Sequence, residues 1–317
     1  MSLSEFSHNP PAPSPPATGR RVALFGEALA DIFPHQRVWG GAPLNVARHL
    51  HRFGAQPLFV PCLGSDDLGD ELFQAIAESG MATSAIQRSD RYPTGRVGID
   101  LADGAHRFTI PGEQAYDHID GHLATAVTGP FQPRVVYFGT LAQRCAASRD
   151  ALGEILSLCP ALTFCDINLR SPWYRKDTLE HSLQRTDILK LNHEELDLLA
   201  EMFTLAADHP EDQLARLMDD FGLQQIVLTR GEEGAWLLTA DGHLTKVDSP
   251  PLATPLVDTV GAGDAFCAVY ILGILEGWPP SQTLARANHF AAAVCGIRGA
   301  LPADDELHEQ YRRLWTP

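Results

Sequence analysis

No stretch of this sequence approaches the roughly 18 consecutive apolar residues that a membrane-crossing helix needs, so no membrane partner is expected. Positive charge is scarce. Lys and Arg number 24 against 40 Asp and Glu, a formal net charge of −16 with His neutral, and such a surface repels nucleic acid and anionic lipid. Cysteines are few and scattered: Cys62, Cys145, Cys159, Cys165, Cys267 and Cys295 form no Cys-x-x-Cys pair and read as reduced thiols. The histidines show neither a His-Glu-x-x-His motif nor Cys/His spacing, which argues against a metal centre built from protein ligands alone. There is no Gly-Lys-Ser/Thr of a Walker loop, and Phe266 stands where a dinucleotide-binding loop needs glycine. Residues 1–19 have no apolar periodicity and are rich in proline and small residues, so a disordered tail is expected there. That tail has neither an apolar h-region nor an Arg-rich amphipathic pattern, and a cytoplasmic chain is expected.

What is present suits one large α/β domain over 20–317. Short apolar runs recur at RVALF (21–25), PLFVP (57–61), RVVYF (134–138), ALTFC (161–165), DILKL (187–191) and QIVLT (225–229). Continuous apolar strands belong to a sheet buried on both faces. Between them lie helical patterns at 68–80, 148–159 and 210–222, with Gly80 and Gly222 placed to close two of them. The alternation predicts a doubly wound, mainly parallel sheet flanked by helices. Two nearly all-apolar helices, 263–276 and 281–297, are expected to be buried. The pieces 31–39 and 95–110, the latter with an Asp103-Gly104 turn signal, predict a small separate β lid.

The sharpest chemical signal is DTVGAGDAF (258–266), an extended stretch leading into a helix. Gly261, Ala262 and Gly263 leave the backbone nearly bare, so several amides can face one oxyanion at a helix N-terminus. That supplies positive potential without a cationic side chain. Asp264 then sits where an anion would bind. It is either an ordinary first-turn carboxylate or a base that removes a proton from an attacking hydroxyl.

DTVGAGD resembles the C-terminal signature of the ribokinase-like (PfkB) family. WGGAPLNVARHLHRFGA (39–55) resembles that family's N-terminal signature, with Gly40, Gly41 and Asn45 at matching positions. Matching segments run from Phe25 to about Leu301. The resemblance implies that Asp264 is the catalytic base and that the 261–263 amides stabilise the transferred phosphoryl group. KLNHEEL (190–196) is similar to the family's Asn-x-x-Glu motif, placing Asn192 by the nucleotide and Glu195 near Mg2+, mainly through water; the pair equally suits a capping box. VLTRGEEGAWLL (227–238) resembles the nucleotide-side segment, giving Thr229, Gly231 and Gly234, although the two glycines also suit a hairpin turn. ANHFAAAVCGIRGA (287–300) resembles the helix and loop flanking adenine and a monovalent cation. It gives Asn288 for the base, with Asp258 and Val260 for K+; Arg298 in the same loop is a rival source of positive charge.

At the sugar end the resemblance implies Asp31, Gly40, Gly41 and Asn45 as ligands of the acceptor. Arg170, in DINLR (166–170), either binds substrate or pairs structurally with Asp166. GEALADIF, GGAPLNVA and DINLR lean towards fructokinase-like members. FGTLAQ (138–143) departs from the ribokinase branch by lacking an acid after the central strand, which weakens a ribose reading. The expectation is therefore an ATP-dependent sugar kinase with fructose the favoured acceptor and Mg2+ as cofactor. Kinases for 2-keto-3-deoxygluconate, ribose or a nucleoside are the alternatives, with a catalytically silent kinase-fold regulator and a nicotinamide-dependent enzyme from other classes. An exposed lid with an apolar face also implies a homodimer through the lid.

Overall fold

A computed structural model describes residues 19–33, 35–102, 105–205, 207, 209–251 and 255–315, with side chains at 99–108 outside the description. All but the last residue of the expected tail, and the Asp103-Gly104 turn, lie outside it too. In chain order the strands are β1 Arg21–Phe25, β2 Leu29–Ile32, β3 Arg37–Gly40, β4 Gln56–Val60, β5 Cys62–Gly64, β6 Gln87–Ser89, β7 Gly95–Ala102, β8 Ala105–Thr109, β9 Val135–Gly139, β10 Leu162–Asp166, β11 Ile188–Asn192, β12 Gln225–Thr229, β13 Ala235–Thr239 and β14 Leu244–Val247. The helices are α1 Ala42–Arg52, α2 Asp67–Glu78, α3 Gly121–Phe131, α4 Ala146–Leu158, α5 Lys176–Leu183, α6 His193–Phe203, α7 Pro210–Phe221, α8 Ala262–Glu276, α9 Pro280–Val294 and α10 Glu306–Trp315.

Eight strands make one sheet in the order β14-β13-β12-β11-β10-β9-β1-β4. β4 through β12 pair in parallel, while β13 and β14 add an antiparallel edge. Because strand side chains alternate, Ala23 and Phe25 of β1 enter one core and Val22 and Leu24 the other. The first core is covered by α3 to α7, the second by α1, α2 and α8 to α10. This is the doubly wound arrangement expected from the apolar strands. α7 starts on Pro210 and stops on Gly222 at φ 68°, a left-handed cap that glycine adopts without strain. α8 is buried from Ala265 to Gly273. α9 corrects the expectation of a second wholly buried helix: Leu284, Ala287 and Phe290 face the core, whereas Ser281, Gln282, Ala285 and His289 are exposed. Its alanines are small enough to sit at a surface without penalty.

The lid is a four-stranded sheet in the order β3-β2-β7-β8. β2 pairs in parallel with β7, which joins the two expected pieces across some 60 residues of intervening chain. β7 is anchored from the body by Asp66, the N-cap of α2, which accepts hydrogen bonds from the Thr94 amide (2.9 Å) and hydroxyl (2.6 Å). The edge lid strand β3 runs through Gly40 and Gly41 straight into α1, so the lid is covalently continuous with that helix. Ile32 and Val38 are exposed on the lid.

Candidate active site

The carboxyl ends of β1, β9, β10, β11 and β12 converge where the strand order reverses beside β1, the usual ligand crevice of such sheets. The 258–266 segment arrives there as the head of α8. Gly261 has φ 77°, and a Cβ on it would lie 2.4 Å from both Cα and Cβ of Ala300. Only glycine satisfies both constraints. The Ala262 amide turns back to the Thr259 carbonyl at 3.2 Å, and the Ala265 amide bonds the Gly261 carbonyl at 2.8 Å. Among the described residues the amides of Gly261, Gly263 and Asp264 meet no acceptor. The set of amides left free therefore differs by one from the expected trio, with Asp264 in place of Ala262.

Asn45, one turn into α1, donates from Nδ2 to Asp264 Oδ2 at 2.8 Å. Two residues 219 apart, one from each signature motif, thus meet side chain to side chain. Partial burial pushes the Asp264 carboxyl up to about 6; the Asn45 bond opposes this, Asp166 adds to it, and Lys190 and Arg170 pull it back. A carboxylate poised there is ionised at neutral pH yet basic enough to accept a hydroxyl proton.

Lys190 went unnoticed in the sequence, where it is one more residue in the apolar run of β11. Its ammonium bonds Asp166 Oδ1 at 2.9 Å in a buried pair. It also lies 3.3 Å from where a Gly263 Cβ would be, so a cation sits directly against the first turn of α8. The Tyr137 hydroxyl (3.3 Å) and the Cys267 thiol (3.6 Å) complete the Asp166 environment. Asp166 therefore pairs with Lys190, which corrects the Asp166–Arg170 pairing weighed from the sequence.

At the sugar end, Asp31 of β2 lies beside Gly40, where a Cβ would stand 2.8 Å from its Oδ2. Burial raises its carboxyl to about 6. Gly41, at φ 106°, passes 2.5 Å (measured from a virtual Cβ) from the Glu27 carbonyl. Glu27 is a second residue missed in the sequence. It is 4% exposed, its carboxyl faces the amides of Glu27 itself and Ala42 at the head of α1, and its Oε2 has no partner among the described residues. Burial lifts it to about 7, with Arg170 lowering and Asp264 raising it. Arg170 is exposed and acts electrostatically on Glu27, Asp31 and Asp264 alike. One cation thus serves three raised carboxyls.

On the nucleotide side several expected residues carry structural duties. Asn192 caps α6 by accepting from the Glu195 amide (2.8 Å), and Glu195 Oε2 accepts from the Asn192 amide (2.9 Å). Glu195 Oε1 also accepts from the Leu169 amide (2.8 Å), tying the DINLR loop to α6. Both carboxylate oxygens are engaged, so this side chain fits an outer, water-mediated role towards a magnesium ion and not direct coordination. Among the described residues no cluster of three His, Cys, Asp or Glu could hold a metal. The Thr229 hydroxyl donates to the Leu191 carbonyl at 3.3 Å. Gly231 and Gly234, at φ 56° and 91°, shape the β12–β13 hairpin, and a Cβ on Gly234 would lie 2.0 Å from the Val247 carbonyl. Asn288 donates to the Asp248 carbonyl at 3.0 Å. Asp258 accepts from the amides of Val260 and Gly299, both at 3.0 Å, clasping the 258–261 loop to the 296–300 loop. Val260 and Arg298 are exposed.

The profile of the pfkB family carbohydrate kinases matches residues 26–306. The chain belongs to the pfkB family of carbohydrate kinases. Among curated relatives, this pfkB kinase is 27% identical to aminoimidazole riboside kinase of Salmonella typhimurium, covering 91% of this chain and 94% of the relative. It is 26% identical to probable fructokinase-4 of Arabidopsis thaliana, covering 88% of each. It is 25% identical to the fructokinase of Salmonella typhimurium, covering 92% of this chain and 99% of that one. Among solved structures, ATP-bound fructokinase from Xylella fastidiosa superposes with a TM-score of 0.77 at 24% identity, over 91% of this chain and 95% of that chain. The fold is accordingly that of the ribokinase-like kinases, and the protein is an ATP-dependent carbohydrate kinase.

Proposed function

We propose that this pfkB kinase phosphorylates fructose or a close ketohexose. The observation that carries the reading is the Asn45–Asp264 contact, which sets a poised carboxylate from the phosphate end against the helix that heads the sugar end. In the reaction so read, Asp264 takes the proton of the acceptor hydroxyl as its oxygen attacks the γ-phosphorus and the bond to ADP breaks. The amides at 261, 263 and 264 carry the charge on the transferred group, with Lys190 behind them. Asp31, Gly40, Gly41 and Asn45 orient the sugar. Asn192, Thr229, Gly231, Gly234 and Asn288 frame the nucleotide by holding its surrounding loops. Glu195 would hold a nucleotide-borne magnesium ion through water, and the ion would offset the negative charge of the phosphates. Potassium is assigned to the clasped loops at Asp258 and Val260. An ATP-dependent reaction suits a cytoplasmic setting. Arg170 favours one second reading: an exposed guanidinium beside the pocket suits a carboxylate-bearing sugar such as 2-keto-3-deoxygluconate.

Coupled ADP-release assays with fructose, ribose, 2-keto-3-deoxygluconate and adenosine decide between these. Fructose is expected to exceed the others in kcat/KM by about tenfold or more, the discrimination that hydrogen-bonding sites readily achieve. Any of the three exceeding fructose by that margin overturns the assignment. In the same assay, equal rates in potassium, sodium and bulky-cation buffers would remove the potassium site.

The lid is proposed to pair two subunits, because Ile32 and Val38 leave apolar surface uncovered on a small open sheet. Sedimentation at micromolar concentration is expected to give a dimer. A fully active monomer would reject the pairing.

A further inference from the structure

α1 also reaches Ala300, the residue packed against Gly261 before the head of α8. His49, one turn beyond Asn45 and fully buried, contacts the Ala300 carbonyl through Nε2 at 2.9 Å. Its Nδ1 lies 2.9 Å from Nε2 of His308, itself fully buried on α10. The hydrogen positions follow from chemistry. A carbonyl only accepts, so His49 Nε2 carries the proton. Burial holds both imidazoles neutral, so His49 Nδ1 is an acceptor and His308 Nε2 must donate to it. His308 Nδ1 is then left as a buried acceptor with no partner among the described residues. An orphaned buried acceptor is destabilising, and an apolar ring at 308 would avoid that cost. What the arrangement obtains in exchange is one fixed tautomer at His49, aimed at one carbonyl.

That carbonyl belongs to the residue on which the phosphate turn rests. Ala300 is the atom group that a Gly261 Cβ would strike at 2.4 Å, so any shift of Ala300 changes the seat of Gly261 and the aim of the amides after it. The neighbouring Gly299 amide holds Asp258, at the start of the same turn. Further along α1, Arg52 bonds the carbonyls of Pro302 (2.8 Å) and Asp304 (3.0 Å), fixing the chain after Ala300. We infer that His49 is a positioning residue: by holding the Ala300 carbonyl it seats Ala300 under Gly261 and sets the aim of the phosphate-turn amides. The inference rests on reading the 261–264 turn as the phosphoryl site. It makes α1 a strut with two fixings, Asn45 directly on Asp264 of α8 and His49 on Ala300, against which Gly261 rests.

The test uses the full chain with His49→Phe, which fills the same space without a hydrogen bond, His49→Gln, which restores an N–H donor, and Trp315→Leu, which loosens the same aromatic cluster away from Ala300. kcat, KM for magnesium-ATP, KM for sugar and Tm are measured for each. His49→Phe is expected to lower kcat about tenfold and raise KM for magnesium-ATP while leaving sugar KM within about twofold, because sub-ångström misaim of catalytic groups costs rate more than sugar binding. His49→Gln recovers most of the loss, and Trp315→Leu lowers Tm with kcat unchanged. Wild-type kcat in folded His49→Phe, no rescue by Gln, or a kcat loss in Trp315→Leu that matches its Tm loss would each overturn the inference. Should His49→Phe fail to fold, His308→Phe asks the same question by deleting the donor that fixes the tautomer: kcat falls with sugar KM unchanged, or the inference is wrong. Asp264→Asn measured alongside separates the two readings. If it stays active, the phosphoryl-site reading fails; if it is inactive while His49→Phe runs at full rate, only the positioning role fails.

Discussion

Asp264→Asn is expected to lower kcat by about 10²–10⁴, the range typical of losing a general base. That corresponds to about 2.7–5.5 kcal/mol of transition-state stabilisation. The substitution is nearly isosteric, and the new amide oxygen can still accept from Asn45 Nδ2, so the local geometry should persist. Affinity for a non-hydrolysable ATP analogue is expected to stay or to tighten, because a negative charge near the γ-phosphate has gone. The pH behaviour follows from the raised carboxyl. Wild-type kcat/KM should fall on the acid side with an apparent pKa near the value of about 6 set by burial, and the variant should lack that limb. Stability should run the other way. A carboxyl whose folded pKa lies above its unfolded value favours the folded state when protonated, and that contribution is lost as pH rises through the folded pKa. At pH 8 the wild type has lost it, so Asp264→Asn should melt higher by about 2 °C or more, with the gap narrowing below pH 6 and closing only near pH 4. A variant that keeps a third of wild-type kcat would take Asp264 out of the mechanism.

The second large effect is expected at Lys190. Lys190→Met removes the partner of a carboxylate that is 1% exposed and leaves Asp166 as an uncompensated buried charge. Breaking such a pair costs about 3–5 kcal/mol, a large share of a normal folding free energy. The double change Lys190→Met with Asp166→Asn removes both charges and should recover most of the Tm. It should not recover kcat, because the cation against Gly263 is still missing. The pair of variants separates stability from chemistry: a double variant at wild-type kcat would show that Lys190 only neutralises Asp166, and a single variant melting with the wild type would deny even that.

Much of the fold was legible because it is written locally. QIVLT reads as a strand and β12 is Gln225–Thr229 to the residue, since a continuous apolar run bounded by polar residues admits little else. α7 was readable from Pro210 to Gly222 because both ends carry their own conformational punctuation. The lid pieces were visible as extended segments, yet their parallel pairing through β2 and β7 was not, because no local pattern encodes a partner so distant in the chain. α3 was missed: its GHLATAVTGPF has only a weak apolar periodicity and an internal Pro130. α9 was misjudged because alanine serves a surface as well as a core.

The site divides along the same line. Sequence alone pointed to the 258–264 turn, its helix and its carboxylate, because bare glycines before a helix leave amides free to face an anion, although which amides stay free was decided by the fold. The resemblance of 39–55 also singled out Gly40, Gly41 and Asn45, but that they head a helix, α1, came from the structure. Only the tertiary structure decided that Asn45 bonds Asp264, that Lys190 backs Gly263, that Glu27 lies buried beneath Gly41, and that His49 holds Ala300. It likewise gave Glu195, Asn288 and Gly234 their anchoring duties. The physical reason is common to all of these. Charge, protonation and hydrogen-bond direction depend on burial and on the nearest polar atom. In this chain that atom lies up to 259 residues away, so side-chain chemistry stays undetermined until the sheet and its two helical layers bring the partners together.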